Sequence, residues 1–272
     1  GACDPTFKPV AIDSKGILRP SIETGMHAII PYQVVVHIHC VDTVALSIDP
    51  DQQPLLKEVL QDSNGVYIPY TKPGAELASS IAQAIAENDA PALYALENHG
   101  LVIAGETVTE VEARLRHYLA SVQQSIRSPK GKPDYDRLKA VALRTGFKLP
   151  ESSSVHHIAL DESMIAQASG GTLYPDHVVF LGRGCAVYDP GAKGQSFESN
   201  YFESKVLIVP SAGLLLAPDT SESDEEMLLG LHEVLKRLKP HAHPLRYLSR
   251  KSEDELLNWD AEKLRQKMAR KN

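Results

Sequence analysis

The sequence predicts a mixed α/β protein whose first part is a sheet layered with helices. Helical and extended patterns alternate to about Gln124, and short connections rich in turn residues separate them. The chain has 272 residues, of which 43% are apolar, so it can form one large domain, or one domain with a smaller appendage. We therefore expect a substantial hydrophobic core.

The elements of the first part follow from the spacing of apolar residues. Ser21 to Ile30 is typical of a short helix that Pro31 closes. Gln33 to Cys40 is expected to be a buried strand, because Val34 to Val36 are β-branched on both faces. The same reasoning predicts helices at 43–48 and 53–60, a strand at 66–70, a helix from Pro73-Gly74 to Asn88, strands at 92–97 and 101–104, and a long helix capped by Thr107 with Leu115, Leu119 and Val122 on its core face.

A second part follows the segment Ser128 to Pro133, whose proline and glycine content is typical of a linker. We therefore divide the chain into a first domain at 1–127, a linker with a helix at 128–149, and a smaller α+β subdomain at 150–272. Within 128–272 the patterns predict helices at 135–143, 161–169 and 219–239, strands at 177–181, 205–209 and 213–216, and a final helix capped by Ser252 that runs into the basic tail 265–271.

Charge and cysteine content narrow the class of protein. The net charge is -7 and the basic residues are scattered apart from the C-terminal tail, which argues against nucleic-acid binding. No apolar run approaches the roughly 20 residues that span a bilayer, and the chain opens without a secretory pattern. Cys3, Cys40 and Cys185 are widely spaced and odd in number, which indicates a reducing compartment. We expect a cytoplasmic protein with no membrane partner.

Three histidines and a glutamate suggest a metal site. In a strand, side chains alternate between faces, so His37 and His39 point the same way. His99 follows another apolar run, where a turn can bring it to the first pair, and Glu23 adds a carboxylate upstream. Three nitrogen ligands with an open position are typical of a catalytic zinc site.

Other histidines provide a comparison within the chain. His241 and His243 have the same spacing, but they lie between Pro240 and Pro244 in a predicted loop that does not hold both on one face. His156 and His157 are adjacent, so we expect them to be surface or capping residues. Spacing alone is therefore weak evidence, and the strand around His37 is what favours the first pair.

Four sequence blocks carry a resemblance to a known family. The blocks are Pro20-Ser21-Ile22-Glu23-Thr24-Gly25-Met26-His27, His37-Ile38-His39, Ile68-Pro69-Tyr70-Thr71-Lys72-Pro73-Gly74 and Leu96-Glu97-Asn98-His99-Gly100-Leu101-Val102. In their order and spacing they resemble the class II aldolase/adducin family. The resemblance covers about Leu18 to Gln124, and it is nearest to the aldolase part of proteins that join a rhamnulose-phosphate aldolase to a short-chain dehydrogenase, without the dehydrogenase part.

The resemblance implies a fold, a site and a reaction. The fold is a three-layer α/β/α class II aldolase-type sandwich, followed here by the smaller α+β subdomain. His37, His39 and His99 are the implied ligands of Zn²⁺ or another divalent metal, and Glu23 is the implied catalytic acid/base. The implied activity is retro-aldol cleavage of a ketose or ketose phosphate by a homo-oligomer. Two alternatives stay open: an epimerase, dehydratase or decarboxylase on the same metal site, and a non-catalytic adducin-like assembly module.

Departures from the family pattern bear on substrate binding. The family's Ser-Ser pair before the glutamate is Ser21-Ile22 here, and isoleucine cannot donate a hydrogen bond to phosphate. The Gly-Asn and Thr/Ser-Gly segments of the family's phosphate pocket fall before Gly1, so either the protein is longer or the phosphate cradle is lost. Ser21, Tyr70 and Lys72 are the candidate substrate-binding residues. Their alternatives are a helix cap for Ser21 and an ordinary surface position for Lys72.

Overall fold

The structure, a computed structural model, describes residues 21–128, 131–191, 203–239 and 243–259. They form two compact units, one ending at Gln123 and one beginning at Gln124. This boundary lies four residues before the predicted end of the first domain. The predicted division at 127 and 149 stays a prediction.

In its described residues the first unit contains one four-stranded sheet and five helices. In chain order the elements are α1 (Thr24–Ile29), β1 (Val34–Ile38), α2 (Val41–Ile48), α3 (Gln53–Asp62), β2 (Gly65–Ile68), α4 (Ala75–Glu87), β3 (Leu93–Leu96), β4 (Gly100–Gly105) and α5 (Val108–Val122). Strand order is β1-β4-β3-β2, with β1/β4 and β4/β3 antiparallel and β3/β2 parallel.

Helices cover both faces of this sheet. On one face, Leu46 of α2, Leu56 of α3 and Tyr118 of α5 form a core with the sheet residues. On the other face, Met26 of α1 and Leu77 of α4 form a second core. The expected three-layer α/β/α arrangement of the first part is therefore confirmed.

Two details of the first unit differ from expectation. Strand β1 lies at the sheet edge and is half-buried along its whole length, so it is not the fully buried strand that its valines suggested. On α5 the buried residues are Val111, Tyr118 and Val122, whereas Leu119 is 37% exposed. The helix turns Tyr118 to the core, where its hydroxyl bonds to the buried Thr43 at 2.8 Å.

The described residues of the second unit form α6 (Tyr135–Thr145), a 3₁₀ helix (Ser153–Leu160), α7 (Glu162–Ser169), a π-helix (His177–Leu181), β5 (Ala186–Val187), β6 (Val206–Val209), β7 (Gly213–Leu216), α8 (Glu222–Arg237) and α9 (Arg250–Leu257). The strands form one sheet of order β5-β6-β7, and its antiparallel β6/β7 pair corresponds to the strands predicted at 205–209 and 213–216. Leu138 and Val141 of α6 pack on Leu207 and Leu215 of this sheet, so the helix predicted beside the linker belongs to the core of this unit.

Three expectations for the second unit were wrong. The segment His177–Leu181 is a π-helix and not a strand, and every residue in it is buried. His156 and His157 are buried and not at the surface: the ring of His156 accepts a hydrogen bond from the Leu214 amide, and His157 lies 3.3 Å from the ring nitrogen of His232. The cap of α9 is Ser249, three residues before the predicted Ser252.

Some expectations lie outside the described residues. These are the N-terminal residues 1–20, most of the His241-Ala242-His243 pair and the basic tail 265–271. Within the described ranges, none of the helices combines the length and apolarity needed to cross a membrane.

Candidate metal centre

The four residues predicted from the sequence come together at one end of β1. His37 lies in β1 and His39 directly follows it, His99 lies in the turn between β3 and β4, and Glu23 precedes α1. One potential ligand atom from each residue can be chosen so that all four lie within 4.8 Å of one another. A strand end, a turn and a helix start thus supply one cluster within the first unit.

The pairing of β1 with β4 explains why His99 reaches the other two histidines. The antiparallel register places His37 opposite Val102 and Ile38 opposite Leu101, so the residue before β4 lies beside the end of β1. The strands approach so closely here that a Cβ at Gly100 would lie 2.4 Å from the carbonyl oxygen of Ile38. Glycine at position 100 is therefore a steric requirement of this register.

The distances within the cluster suit a metal ion. The three imidazole centroids are separated by 4.8 to 5.1 Å. The Glu23 Oε1 atom lies 3.3 Å from Nε2 of His37 and 3.7 Å from Nε2 of His99. Nitrogen and carboxylate donors in this proportion are typical of zinc and of other first-row divalent metals.

The hydrogen bonding of His37 sets its ligand atom. Its Nδ1 lies 3.1 Å from the Leu101 carbonyl oxygen, and since a carbonyl only accepts, Nδ1 carries the proton. Burial lowers the pKa of His37, although the nearby Glu23 charge opposes this, and the neutral ring then has its lone pair on Nε2. A lone pair and a carboxylate oxygen 3.3 Å apart repel each other unless a proton or a metal cation lies between them. The residues present therefore fit a divalent metal.

Exposure differs across the cluster. The side chains of His37 and His99 are 6% and 5% exposed, whereas Glu23 is 22% exposed and His39 lies at the surface of the unit. The buried histidines form the floor of the site. Glu23 and His39 lie on the exposed side of the cluster.

The turn that carries His99 is held by contacts that the sequence did not indicate. The Asn98 amide donates to the buried Ser47 hydroxyl at 3.2 Å, and the Glu97 amide donates to the Ile68 carbonyl at 2.9 Å. Asn98 itself adopts a left-handed conformation, with φ of 53°, which asparagine tolerates well. Neither Ser47 nor Glu97 carries a spacing signal, since their roles depend on tertiary contacts.

The candidate substrate residues are less closely defined. The exposed Ser21 hydroxyl accepts a hydrogen bond from the Glu23 amide at 3.2 Å, but Ser21 is not the helix cap of the alternative interpretation, because the N-cap of α1 is Glu23. The Tyr70 amide donates to a carboxylate oxygen of Glu97 at 2.8 Å. Glu97 lies two residues before His99 in the chain. Lys72 is half-buried just before α4. Substrate contacts for all three stay predictions.

Comparison with known proteins finds a family model that matches the first part of the chain. Residues 4–124 match the family model described as Class II Aldolase and Adducin N-terminal domain. This part of the chain therefore resembles a class II aldolase/adducin domain.

Two particular proteins are similar to parts of the chain. An uncharacterized oxidoreductase of Bacillus subtilis, YuxG, is 41% identical over 96 residues, which make up 35% of this chain and 14% of that protein. The chain thus matches only a small fraction of that relative's length. The solved N-terminal class II aldolase domain of a conserved protein from Thermoplasma acidophilum is 27% identical with a TM-score of 0.34, covering 38% of this chain and 46% of that one.

Proposed function

We propose that this protein is a metal-dependent aldolase-type lyase that cleaves a ketose or ketose phosphate into a dihydroxyacetone-type fragment and an aldehyde. The observation that carries the proposal is the position of Glu23, whose Oε1 lies 3.3 Å from one imidazole nitrogen of the cluster and 3.7 Å from another. A carboxylate so placed can serve as proton acceptor and donor beside a metal-held substrate. A purely structural module has no physical need for this combination.

The roles of the residues follow from the chemistry of the reaction. His37, His39 and His99 would hold Zn²⁺ or another divalent ion, which when bound stabilises the negative charge of an enediolate. In the cleavage direction Glu23 accepts the proton of the hydroxyl group on the carbon that becomes the aldehyde. The electron pair of the broken carbon–carbon bond passes to the ketone fragment, and Glu23 returns the proton to that fragment's carbon.

Substrate recognition is part of the same proposal. Ser21 lies beside Glu23 in the chain, and Tyr70 and Lys72 precede α4, so their polar groups are suited to hydroxyl or phosphate groups of a sugar. We also propose a cytoplasmic homo-oligomer. The buried free thiols of Cys40 and Cys185 are in keeping with a reducing compartment.

A comparison of Glu23→Gln with the unmodified protein tests the proposal. Both are loaded with Zn²⁺ and incubated in D₂O with dihydroxyacetone phosphate or dihydroxyacetone, and NMR follows exchange of the carbon-bound protons; a set of ketoses is then screened for aldehyde release. We expect Glu23→Gln to lower both rates about 10²-fold or more, because it retains the shape of the side chain and removes the base.

The control is Glu58→Gln, an exposed position on α3, which should exchange and cleave at the unmodified rate. Equal turnover in Glu23→Gln and the unmodified protein would remove Glu23 from its assigned role. Products identify the alternatives, since an epimerised sugar, a dehydrated ketone or released carbon dioxide would replace the aldehyde.

A further inference from the structure

A buried carboxylate links the metal-bearing turn to the segment that precedes α4. Glu97 is 7% exposed and lies two residues before His99. One of its carboxylate oxygens accepts a hydrogen bond from the Tyr70 amide at 2.8 Å. A buried polar group costs free energy unless it is hydrogen-bonded, so loss of this contact is expected to be felt.

The segment joined to Glu97 is 69–74, which we call the Tyr70 loop. It leaves β2 at Ile68 and enters α4 at Ala75, and it contains both Tyr70 and Lys72. Its other end is tied to α4, because the Lys72 carbonyl accepts from the Leu77 amide at 3.2 Å. The Glu97 bond therefore ties the β2 side of the Tyr70 loop to the turn that carries His99.

The turn itself has independent support. The amide of Glu97 donates to Ile68, the amide of Asn98 donates to Ser47, and the amide of His99 donates to Leu96 at 3.2 Å. None of these three bonds uses the Glu97 side chain. Loss of that side chain should therefore loosen the Tyr70 loop while these three backbone bonds of the turn remain.

We propose that Glu97 is a positioning residue that holds the Tyr70 loop against the metal centre and thereby sets the binding of the sugar substrate. The proposal rests on the proposed function, for which the Tyr70 loop supplies the substrate groups. Ser47 has the complementary task, because its hydroxyl holds the His99 turn and not the loop. The two side chains thus divide the support of the site between substrate and metal.

The test compares Glu97→Ala with Glu97→Gln, and with Ser47→Ala as the matched control. Glu97→Gln retains an oxygen that can accept from the Tyr70 amide, whereas Glu97→Ala does not. Three quantities are measured: amide hydrogen exchange of the peptide covering 69–74, Zn²⁺ affinity by calorimetry, and KM and kcat for deuterium exchange into dihydroxyacetone phosphate.

For Glu97→Ala we expect about tenfold faster amide exchange in the Tyr70 loop and about tenfold higher KM, which is the value of one hydrogen bond, with kcat and Zn²⁺ affinity little changed. Glu97→Gln should restore both values. Ser47→Ala should instead weaken Zn²⁺ binding and leave exchange in the Tyr70 loop unchanged.

The proposal is overturned if Glu97→Ala leaves loop exchange and KM at the unmodified values, or if it weakens Zn²⁺ binding as Ser47→Ala does. Should Glu97→Ala not fold, Glu97→Asp withdraws the carboxylate from Tyr70 and is judged by the same three quantities. If the unmodified protein fails to exchange deuterium into dihydroxyacetone phosphate, the proposed function fails, and amide exchange and Zn²⁺ affinity still decide whether Glu97 holds the loop.

Discussion

The substitution Gly100→Ala should damage the metal centre through the backbone alone. An alanine Cβ at this position would lie 2.4 Å from the Ile38 carbonyl oxygen and 3.0 Å from the His39 Cα. Both neighbours are backbone atoms, which cannot rotate away, so β1 and β4 must separate by about 1 Å to restore ordinary contacts. The displaced segment is the one that carries His37 and His39.

The size of the effect follows from this geometry. Forcing a methyl group into a packed site costs about 1–3 kcal/mol of the free energy of unfolding. Displacement of the ligand-bearing strand should also weaken Zn²⁺ binding by about 10–100-fold, which is the range seen when the support of a metal ligand is lost. Urea unfolding measures the first quantity and calorimetric titration with Zn²⁺ measures the second.

Gly105→Ala is the matched control for this experiment. Gly105 lies at the other end of β4, opposite Val34, and the nearest atoms to its added Cβ belong to the side chains of Val111 and Glu110, at 3.1 and 3.2 Å. It should change stability modestly and leave Zn²⁺ affinity intact. Normal Zn²⁺ affinity in Gly100→Ala, or equal losses in both variants, would refute the argument that the register at Gly100 builds the site.

Two further predictions concern stability. The π-helix residue His177 is fully buried with its pKa lowered to about 4, and its Nδ1 accepts from the Leu173 amide, so the neutral ring is the folded form. The neutral ring therefore contributes to the free energy of unfolding above pH 6.5, and this contribution of about 3 kcal/mol is lost as the pH falls toward 4. Urea unfolding followed by the fluorescence of Trp259 should show this decline. A free energy of unfolding that stays constant over this pH range would contradict it. Tyr118→Phe leaves the buried Thr43 hydroxyl without its 2.8 Å partner and should lower the free energy of unfolding by about 1–2 kcal/mol, whereas unchanged stability would show that this bond contributes little.

The strands and helices of the first unit were predictable because apolar spacing and turn residues mark most of them. The π-helix at His177 was missed for a definite reason. A short run of buried apolar residues has the same appearance in a strand and in a buried helical segment, and Val178 to Leu181 is such a run. The burial of His156 and His157 was missed because their partners, Leu214 and His232, are distant in sequence.

The candidate site likewise has a part that the sequence predicts and a part that it does not. His37 and His39 were predicted because side chains alternate between the faces of a strand. Glu23 and His99 were predicted from the sequence motifs around them. The supporting contacts could not be found, because the Leu101 carbonyl, the Ser47 hydroxyl and the Glu97 carboxylate reach the site only through strand register and tertiary packing. Local sequence patterns identify the candidate metal ligands, whereas the contacts that hold those ligands in place form only in the folded chain.

The most direct test of the account is the metal content of the protein. The chain is stripped with a chelator, reloaded with Zn²⁺, dialysed and measured by atomic emission, alongside the double variant His37→Ala/His39→Ala. We predict one zinc ion per chain in the unmodified protein and none in the double variant, with circular dichroism showing that both are folded. Absence of bound metal from the unmodified protein, or retention of a full equivalent by the double variant, would contradict the metal centre on which the proposed function depends.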